Sequence, residues 1–320
     1  MGNTQIKTID LFAGIGGIRK GFEKAGFKTI YAADSDLFCK KTYDLNFFDP
    51  PLSTQDIAKI NPADLPNFDV MLAGFPCQPF SLAGKKKGFE DKGRGDLFFE
   101  LLRILETKKP AAIFLENVKN LGNHDQGRTF IIIRESLERC GYSIKFAVLN
   151  SAEYGNVPQR RERIYIVGFR DQKAFDAFEF PGKKDLTKSV ADILDNDVSE
   201  RYYYRSGWLY DRIKDEGMTD GFLYQWRRVY LRKSKSGLCF TLTANMGMGG
   251  HNVPLVRDKK GLRRLTPREC ARLQGFSDGF KLPDDVADSR LYKQIGNSVS
   301  VPVIERIAKN FLKALGAIIK

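Results

Sequence analysis

The chain has 320 residues, of which 42% are hydrophobic and 28% charged, and its net charge at pH 7 is +13. This composition is ordinary for a globular protein of one or two domains. The sequence has no apolar run near the roughly 18 residues that a membrane span needs and no secretory signal, so we expect a cytoplasmic protein. Five cysteines without close pairing and two isolated histidines disfavour a disulfide framework and a metal site.

The positive charge is concentrated in one part of the chain. Residues 201–275 carry 16 Lys and Arg against 6 Asp and Glu, and aromatic residues lie between the cations. The remaining residues share a surplus of only three positive charges. A nearly neutral chain with one basic segment is typical of an enzyme that acts on a polyanion, and it favours nucleic acid over a merely solvated surface.

The first 170 residues alternate short apolar runs with helical patterns. The runs predict strands at residues 7–12, 29–33, 69–73, 111–115, 143–149 and 163–169. Helices are predicted between them at residues 16–25, 37–46, 97–107 and 129–140. Strands separated by helices of this length indicate βαβ crossovers and therefore an α/β fold with a mainly parallel sheet.

Beyond residue 182 this periodicity breaks down. Short β-like runs at residues 228–231 and 238–243 predict a small, irregular, β-containing module. From residue 291 onward the sequence predicts a turn followed by a helix that returns to the first domain. We therefore expect one domain from residues 1–180 and 285–320, and a second from residues 181–284.

A glycine-rich turn joins the first predicted strand to the first predicted helix. Gly14, Gly16 and Gly17 lie in this turn, and Asp34 follows about 20 residues later, where an acid can hold ribose hydroxyls. The pattern is not G-x-G-x-x-G, which disfavours a nicotinamide oxidoreductase. A looser turn suits S-adenosylmethionine, which has no pyrophosphate, although an ordinary strand-to-helix turn explains the same glycines.

Three further sites follow predicted strands. Cys77 stands in GFPCQPFS, at an edge where parallel sheets bind ligands, and its thiolate can attack a poor electrophile. Glu116 can hold a ring nitrogen, although a helix cap or a surface acid is the plainer interpretation. Arg161 and Arg163 alternate onto one face and can hold a carbonyl oxygen or a phosphate. The basic loop at residues 84–95 fits a lid and a solvent-exposed linker equally well.

Cysteine, glutamate and arginine at neighbouring strand ends fit one reaction. Addition of a thiolate to carbon 6 of cytosine makes carbon 5 nucleophilic, provided that N3 is protonated and O2 is held. Carbon 5 can then accept the methyl group of S-adenosylmethionine. Because these atoms cannot be reached inside a duplex, the base must be flipped out. The spacing permits this chemistry without proving it.

The motifs DLFAGIGG, GFPCQPFS, ENV, QRRER, RRLTPRECARLQGF and GNSV occur in this order. In this order they resemble the bacterial DNA (cytosine-5) methyltransferases of type II restriction-modification systems, over residues 8–170 and 262–312. The resemblance implies a Rossmann-like, S-adenosylmethionine-dependent methyltransferase domain, with residues 181–284 as a smaller target-recognition domain. It also implies Arg268 and Glu269 as braces of that domain.

The resemblance assigns roles residue by residue. In the catalytic group, Cys77 would be the nucleophile, Glu116 the N3 partner and Arg163 the O2 partner, with Arg161 in support and the Phe75 carbonyl accepting from the cytosine amino group. The residues implied to contact S-adenosylmethionine are Phe12, Gly14, Gly16, Gly17, Asp34, Asp56, Ile57, Leu97 and Asn297. One position departs from the family pattern: Ser35 stands where a large apolar residue usually packs on adenine, which puts cofactor affinity in doubt.

The expected substrate is double-stranded DNA. The residues predicted to contact it are Thr241, Leu242, Arg227, Arg228, Lys233, Lys235, Lys85 and Arg94. We expect a monomer without metal or membrane, and the resemblance leaves room for a separately acting restriction endonuclease. Two alternatives stay open: a tRNA cytosine-5 methyltransferase of the same family, and a catalytically silent DNA-binding protein. The basic segment argues against the first, and the intact Cys77, Glu116 and Arg163 argue against the second.

Overall fold

A computed structural model describes residues 5–76, 97–219, 222–227, 229–234, 237–247 and 252–316. Packing divides the chain into two compact units. Unit 1 takes its described residues from 1–149, 162–181 and 305–320, and unit 2 from 150–161 and 182–304. This division differs from the expected domains in two segments, because residues 150–161 and 285–304 pack within unit 2.

A six-stranded sheet forms the centre of unit 1. Its strands are β1 (Lys7–Leu11), β2 (Lys28–Ala33), β3 (Val70–Ala73), β4 (Ala112–Val118), β5 (Ser143–Asn150) and β6 (Glu162–Phe169), in the order β2-β1-β3-β4-β6-β5. β1 is parallel to β2 and β3, and β3 is parallel to β4. β6 runs antiparallel to β4, so the sheet is mixed but mainly parallel, as predicted. The ends of β1, β2, β3 and β4 therefore meet at one edge.

Helices connect these strands and close the carboxyl end of the chain. Those of residues 1–181 are α1 (Gly17–Lys24), α2 (Leu37–Asp44), α3 (Leu97–Lys108), α4 (Arg128–Arg139), α5 (Ser151–Gly155) and α6 (Gln172–Ala177). The later helices are α7 (Trp208–Ile213), α8 (Pro267–Leu273), α9 (Asp288–Asn297) and α10 (Val301–Gly316). None of the helices in the described ranges is long and apolar enough to cross a membrane.

The carboxyl-terminal helix completes an aromatic cluster in unit 1. The ring of Phe311 lies 5.8 Å from that of Phe22 in α1 and 4.7 Å from that of Phe169 in β6, measured between centroids. Phe27 and Phe178 lie within 6.3 Å of Phe311, and all five rings are buried. The beginning and the end of the chain therefore share one core.

Unit 2 contains a four-stranded antiparallel sheet. Its strands are β7 (Leu223–Trp226), β8 (Leu231–Lys233), β9 (Pro254–Asp258) and β10 (Gly261–Arg264), in the order β10-β9-β7-β8. The core of this sheet buries Tyr224, Trp226 and Leu255. Arg263, which has no exposed surface, donates both Nη atoms to the buried carboxylate of Glu269 in α8, at 2.8 and 2.9 Å. The predicted β-containing module is therefore present. The buried ion pair of Arg263 with Glu269 connects its sheet to α8.

Three element predictions in this part of the chain were wrong. The strand β8 begins at Leu231, so the predicted run at residues 228–231 ends where the strand starts. Residues 238–243 form only one isolated β-bridge, from Cys239 to Gln159, in which the Cys239 amide donates to the Pro158 carbonyl and the Cys239 carbonyl accepts from the Arg160 amide. The backbone of Leu242 is bound instead by the side chains of Arg161 and Gln159, so the pairing does not continue as a strand. Residues 291–297 belong to α9, not to a turn.

Candidate active site

The glycine-rich turn lies between β1 and α1 and has strained backbone. Phe12, Gly14 and Gly16 all have positive φ, at 56°, 55° and 82°. For a phenylalanine this conformation costs on the order of 1–3 kcal/mol, and such strain is concentrated at functional sites. A Cβ on Gly14 would meet no described atom within 4 Å, whereas one on Gly16 would lie 2.3 Å from the ring of Phe47. The turn therefore leaves open space next to Gly14, whereas the Phe47 ring fills the space next to Gly16.

Asp34 holds this turn at the carboxyl end of β2. Its Oδ2 accepts from the Gly14 amide at 2.8 Å, and its Oδ1 accepts from the Asp36 amide at 2.9 Å. A carboxylate oxygen can accept more than one hydrogen bond, so Asp34 is suited to hold ribose hydroxyls beside the open turn. Asp34 is therefore in hydrogen-bond contact with the glycine turn beside which it was predicted to hold ribose hydroxyls.

A second acid, Asp56, follows shortly after Ser53, which pairs with the carboxyl end of β2. Ser53 pairs with β2 through its amide, which donates to the Ala32 carbonyl at 2.9 Å. Asp56 then caps a short 3-10 helix (Ile57–Lys59), and its Oδ1 accepts from the Ala58 amide at 3.0 Å. This arrangement keeps Asp56 and the buried Ile57 next to β2, where an adenosine group bound by Asp34 would need partners.

Arg103 of α3 fixes the segment that carries Asp56 and Ile57. Its Nη1 and Nη2 donate to the carbonyls of Ile60 and Ile57 at 2.7 and 3.0 Å, and its Nε pairs with Glu100 at 2.9 Å. The sequence analysis did not identify Arg103, because a helical arginine carries no local signal of its partners. Leu97, a predicted cofactor contact, is the first residue of the same helix and is half-buried.

Below the turn lies a buried acid, Asp10. It has no exposed surface, and its Oδ2 accepts from the Arg19 amide at 3.2 Å. Its Oδ1 has no hydrogen-bond partner among the described residues. Burial, opposed by the hydrogen bond and charge of Arg19 and reinforced by the charge of Asp34, raises the pKa of Asp10 to about 7. The floor of the turn therefore contains a carboxyl group that changes its charge near neutral pH.

The second part of the site lies at the ends of β3, β4 and β6. In the antiparallel pairing of β4 with β6, Val118 is opposite Arg163. Nε of Arg163 lies 3.2 Å from Oε1 of Glu116, and both side chains are at least 87% buried. A Cβ on Gly74 would lie 3.7 Å from Oε2 of Glu116. The Glu116 carboxylate is therefore next to the segment that leads from β3 to Cys77.

Asn117 ties β4 to the same segment. Its side chain is 2% exposed, and its Nδ2 donates to the Phe75 carbonyl at 2.9 Å. Phe75 was predicted to accept from the cytosine amino group, and a carbonyl oxygen has two lone pairs, so both donors can share it. Cys77 itself, Lys85 and Arg94 lie outside the described residues, as do Arg228 and Lys235.

Arg161 is not part of this group. It belongs to unit 2, is 2% exposed, and donates to the carbonyls of Leu242, Gly296 and Ser298. Its predicted position beside Arg163 on one face is therefore corrected, because its guanidinium binds main-chain oxygens of its own unit. Asn297, predicted to contact the cofactor, is the last residue of α9 and also lies in unit 2.

The residues predicted to contact DNA differ in exposure. Leu242 is 1% exposed, so a contact of its side chain with a base edge is contradicted. Thr241 donates its hydroxyl to the Arg160 carbonyl at 2.6 Å. Arg227 and Lys233 are exposed; the Lys233 ammonium lies 3.8 Å from the Phe222 ring centroid and donates to Thr219 at 3.1 Å. Next to Leu242, the side chains of Thr243 and Asn245 are exposed.

No set of three or more His, Cys, Asp or Glu that could hold a metal occurs in the ranges the structure describes. The open glycine turn and the two acids beside β2 fit S-adenosylmethionine, whose ribose hydroxyls and adenine need acceptors and apolar cover. The fold and this turn therefore define a methyltransferase of the S-adenosylmethionine-dependent class.

Comparison with known proteins extends this assignment. Residues 6–313 match the profile of the C-5 cytosine-specific DNA methylase family. The chain is 51% identical to the type II methyltransferase M.Bsp6I of Bacillus sp. (strain RFL6), over 97% of this chain and 99% of that protein. It is 38% identical to the type II methyltransferase M.HhaI of Haemophilus parahaemolyticus, over 98% and 96%.

Solved structures share the fold. A DNMT2 mutant of Spodoptera frugiperda superimposes with a TM-score of 0.74 at 22% identity, covering 96% of this chain and all of that one. A DNA modification methyltransferase encoded within an E. coli prophage gives 0.72 at 22% identity, covering 98% and 100%. The chain belongs to the C-5 cytosine-specific DNA methylase family and is a DNA cytosine-5 methyltransferase that uses S-adenosylmethionine as methyl donor.

Proposed function

We propose that this enzyme methylates one specific cytosine in duplex DNA, after the base leaves the helix, through attack of the Cys77 thiolate on carbon 6. The observation that supports this mechanism is the buried Glu116–Arg163 pair, whose carboxylate lies beside Gly74, three residues before Cys77. A cysteine, a carboxyl group and a guanidinium are the three groups that the reaction needs. A stacked base cannot reach them, so the base is flipped out.

The chemistry balances with these residues. Addition of the thiolate forms an S–C6 bond and shifts electrons from C5=C6 through C4 onto N3. Glu116 holds the proton that N3 carries, and Arg163 holds O2. Carbon 5 would then accept the electrophilic methyl group that bound S-adenosylmethionine would supply, while the bond from that methyl group to sulfur breaks and S-adenosylhomocysteine is left. Loss of the C5 proton to water then restores C5=C6, and the S–C6 bond breaks to release Cys77.

The cofactor is proposed to bind at the edge formed by β1 and β2. Asp34 would hold the ribose hydroxyls, Asp56 would accept from the adenosine group, and Phe12 and Ile57 would cover adenine. Ser35 is exposed and offers adenine no apolar surface. Leu97 and Asn297 are proposed as further contacts, as are Gly16 and Gly17 through their backbone.

Residues 181–284 are proposed to choose the target sequence. Exposed cations such as Arg227 and Lys233 would bind phosphates, which gives affinity without sequence preference. Replacing the segment by that of a relative with another target should transfer the specificity and leave Cys77 as the nucleophile. A chimera that still methylates the original site would contradict this assignment. We also propose that the enzyme is a monomer in the cytoplasm and that a separate restriction endonuclease of the same specificity accompanies it.

The covalent step can be tested with duplex DNA that carries 5-fluorocytosine at the target. Fluorine cannot leave as a proton, so the enzyme should remain bonded to DNA when S-adenosylmethionine is present. Mapping of methylated cytosines in DNA treated with the wild-type protein defines the duplex to use. The measurement is a shifted band on a denaturing gel.

Two cysteine variants make this test specific. Cys77→Ser should abolish the adduct, whereas Cys140→Ser should retain it, because Cys140 is a half-buried thiol at the end of α4 with no proposed part in the reaction. An adduct that survives Cys77→Ser would refute the proposed nucleophile.

A further inference from the structure

One buried guanidinium connects two functional segments of unit 2. Arg161 donates from Nη1 to the Leu242 carbonyl at 2.8 Å, and from Nη2 to the carbonyls of Gly296, at 3.3 Å, and Ser298. Leu242 belongs to the segment at residues 241–247, and Gly296 to the end of α9 that carries Asn297. Hydrogen bonds from a charged donor in a buried site are strong and costly to break, so these segments keep their relative position.

The two segments are also in direct backbone contact. A Cβ on Gly296 would lie 2.2 Å from the Thr243 carbonyl oxygen and 2.4 Å from its carbon. A Cβ on Gly247, whose φ is 77°, would lie 2.6 Å from the ring of Tyr292. Backbone cannot retreat as a flexible side chain can, so only glycine fits at residue 296. The backbone of residues 243 and 244 therefore packs directly on Gly296, while Gly247 packs on the Tyr292 ring of α9.

Gln159 adds a second connection. Its Oε1 accepts from the Leu242 amide at 3.0 Å, and its Nε2 donates to the Leu273 carbonyl at 2.6 Å. The neighbouring Gln274 donates to the Ile295 carbonyl at 2.9 Å. The side chains of Gln159, Arg161 and Gln274 thus form one buried polar cluster. They bind the backbone of residues 242, 273, 295, 296 and 298.

The same segment presents polar groups to solvent. Thr243 and Asn245 are exposed, and the Thr243 hydroxyl donates to Asn245 Oδ1 at 2.6 Å. These side chains can meet a base edge or a phosphate, which the buried Leu242 cannot do. A DNA contact at Thr243 would therefore act on backbone that touches Gly296.

We propose that Arg161 is a positioning residue that couples target DNA bound by residues 241–247 to cofactor bound at the end of α9, where Gly296 and Asn297 lie. The proposal rests on the proposed function, because that function assigns DNA contact to the first segment and cofactor contact to Asn297. A duplex that fixes residues 241–247 also fixes the end of α9, so less conformational entropy is lost when the cofactor then binds. By thermodynamic linkage, the cofactor must strengthen DNA binding by the same factor.

The coupling can be measured by binding alone. S-adenosylhomocysteine is titrated by calorimetry into the protein, with and without a saturating duplex that contains the mapped target. For the wild-type protein we expect the duplex to lower the dissociation constant on the order of tenfold. In Arg161→Lys this ratio should fall towards one, because a lysine ammonium cannot reach both segments with a planar fork. The reciprocal titration of duplex should give the same ratio.

Gly296→Ala provides a second variant that leaves Arg161 intact but forces the segments apart, and it decides the question if Arg161→Lys does not fold. Tyr203→Phe is the matched control, since it removes another hydrogen bond of unit 2, from the Tyr203 hydroxyl to Asp258, and should keep the wild-type ratio. Melting curves check folding. A wild-type ratio near one, or a wild-type ratio retained in both variants, would overturn the proposal. These binding titrations require no methyl transfer. Failure of the Cys77 adduct would therefore refute the proposed nucleophile without deciding whether Arg161 couples the two sites.

Discussion

The carboxylate of Glu116 and the guanidinium of Arg163 form a buried ion pair, with 3.2 Å between Oε1 and Nε. They come from adjacent antiparallel strands, β4 and β6, in which Arg163 is opposite Val118, two residues beyond Glu116. A buried pair of this kind contributes little net stability, but loss of one partner leaves an uncompensated charge. The pair thus holds a carboxyl group in a fixed place and orientation beside Gly74, in the segment that leads to Cys77.

We predict that Glu116→Gln lowers kcat by about 100-fold or more, the usual range for loss of a group that handles a proton. Arg163→Lys should also lower kcat, because an ammonium cannot hold O2 and the carboxylate in one plane. The double variant should lose much less than the sum of the two, since the residues act as a unit. Single-turnover rates of methyl transfer provide the measurement, and additive losses would contradict the prediction.

A second prediction concerns Arg103, which binds the carbonyls of Ile57 and Ile60. Arg103→Ala should raise the dissociation constant of S-adenosylhomocysteine about three- to tenfold, because a half-exposed charged hydrogen bond is worth roughly 1 kcal/mol. Calorimetry without DNA gives the value. Arg134→Ala, which breaks an exposed pair with Glu138 on α4, should leave it unchanged. Equal effects of the two variants would argue against a role for Arg103 at the cofactor edge.

The buried carboxyl of Asp10 predicts a pH dependence. Its pKa is about 7 in the folded protein and near 3.8 when exposed, so between these values the folded state binds the extra proton. The contribution of Asp10 to stability is therefore present at low pH and is lost as the pH rises towards 7. Relative to Asp10→Asn, the wild-type protein should lose up to about 1.4 kcal/mol per pH unit in this window.

Urea unfolding of the wild-type protein and of Asp10→Asn from pH 5.5 to pH 8.5 measures the difference between their free energies of unfolding. Titratable groups that the two proteins share contribute equally to both values and so cancel. The carboxyl faces Arg19 in α1, with Asp34 and Glu23 as the nearby acids. A difference that is flat between pH 5.5 and pH 7 would contradict the raised pKa of Asp10.

A fourth prediction concerns Phe311. Phe311→Ala should lower the free energy of unfolding by about 3–5 kcal/mol, because it opens a cavity among four buried aromatic rings. Trp208→Ala, which removes a ring that is 55% exposed, should cost much less and serves as the control. Thermal or urea unfolding gives both values, and similar losses would mean that α10 is not integral to the core.

The sequence was sufficient for most of unit 1. Alternating apolar runs and helical patterns predicted all six strands to within two or three residues. The signal is most continuous for β3 and β4, because these strands are buried on both faces. Glycines at a turn and an acid after the next strand were predicted to serve one cofactor site, and the structure places Gly14 and Asp34 in contact. Helix α9 was missed because Gly296 and Asn297, at its end, read as a turn.

Side-chain partners far apart in sequence could not be predicted. Arg161 and Arg163 are alike in the sequence, yet one binds main-chain carbonyls of residues 242, 296 and 298 while the other meets Glu116. Leu242 was predicted to contact DNA on resemblance alone, and nothing local to it reveals that it is buried. Such partners depend on segments that come together only in the folded chain.

The aromatic cluster around Phe311 has a consequence for synthesis of the protein. Phe22 and Phe27 leave the ribosome long before their partner Phe311 in α10 is made. At about 5–20 residues per second, the first helix waits many seconds for the ring that covers it. During that time its apolar face is exposed to other chains and to chaperones. A nascent chain stalled before residue 301 should therefore be more sensitive to protease in residues 17–33 than the released protein.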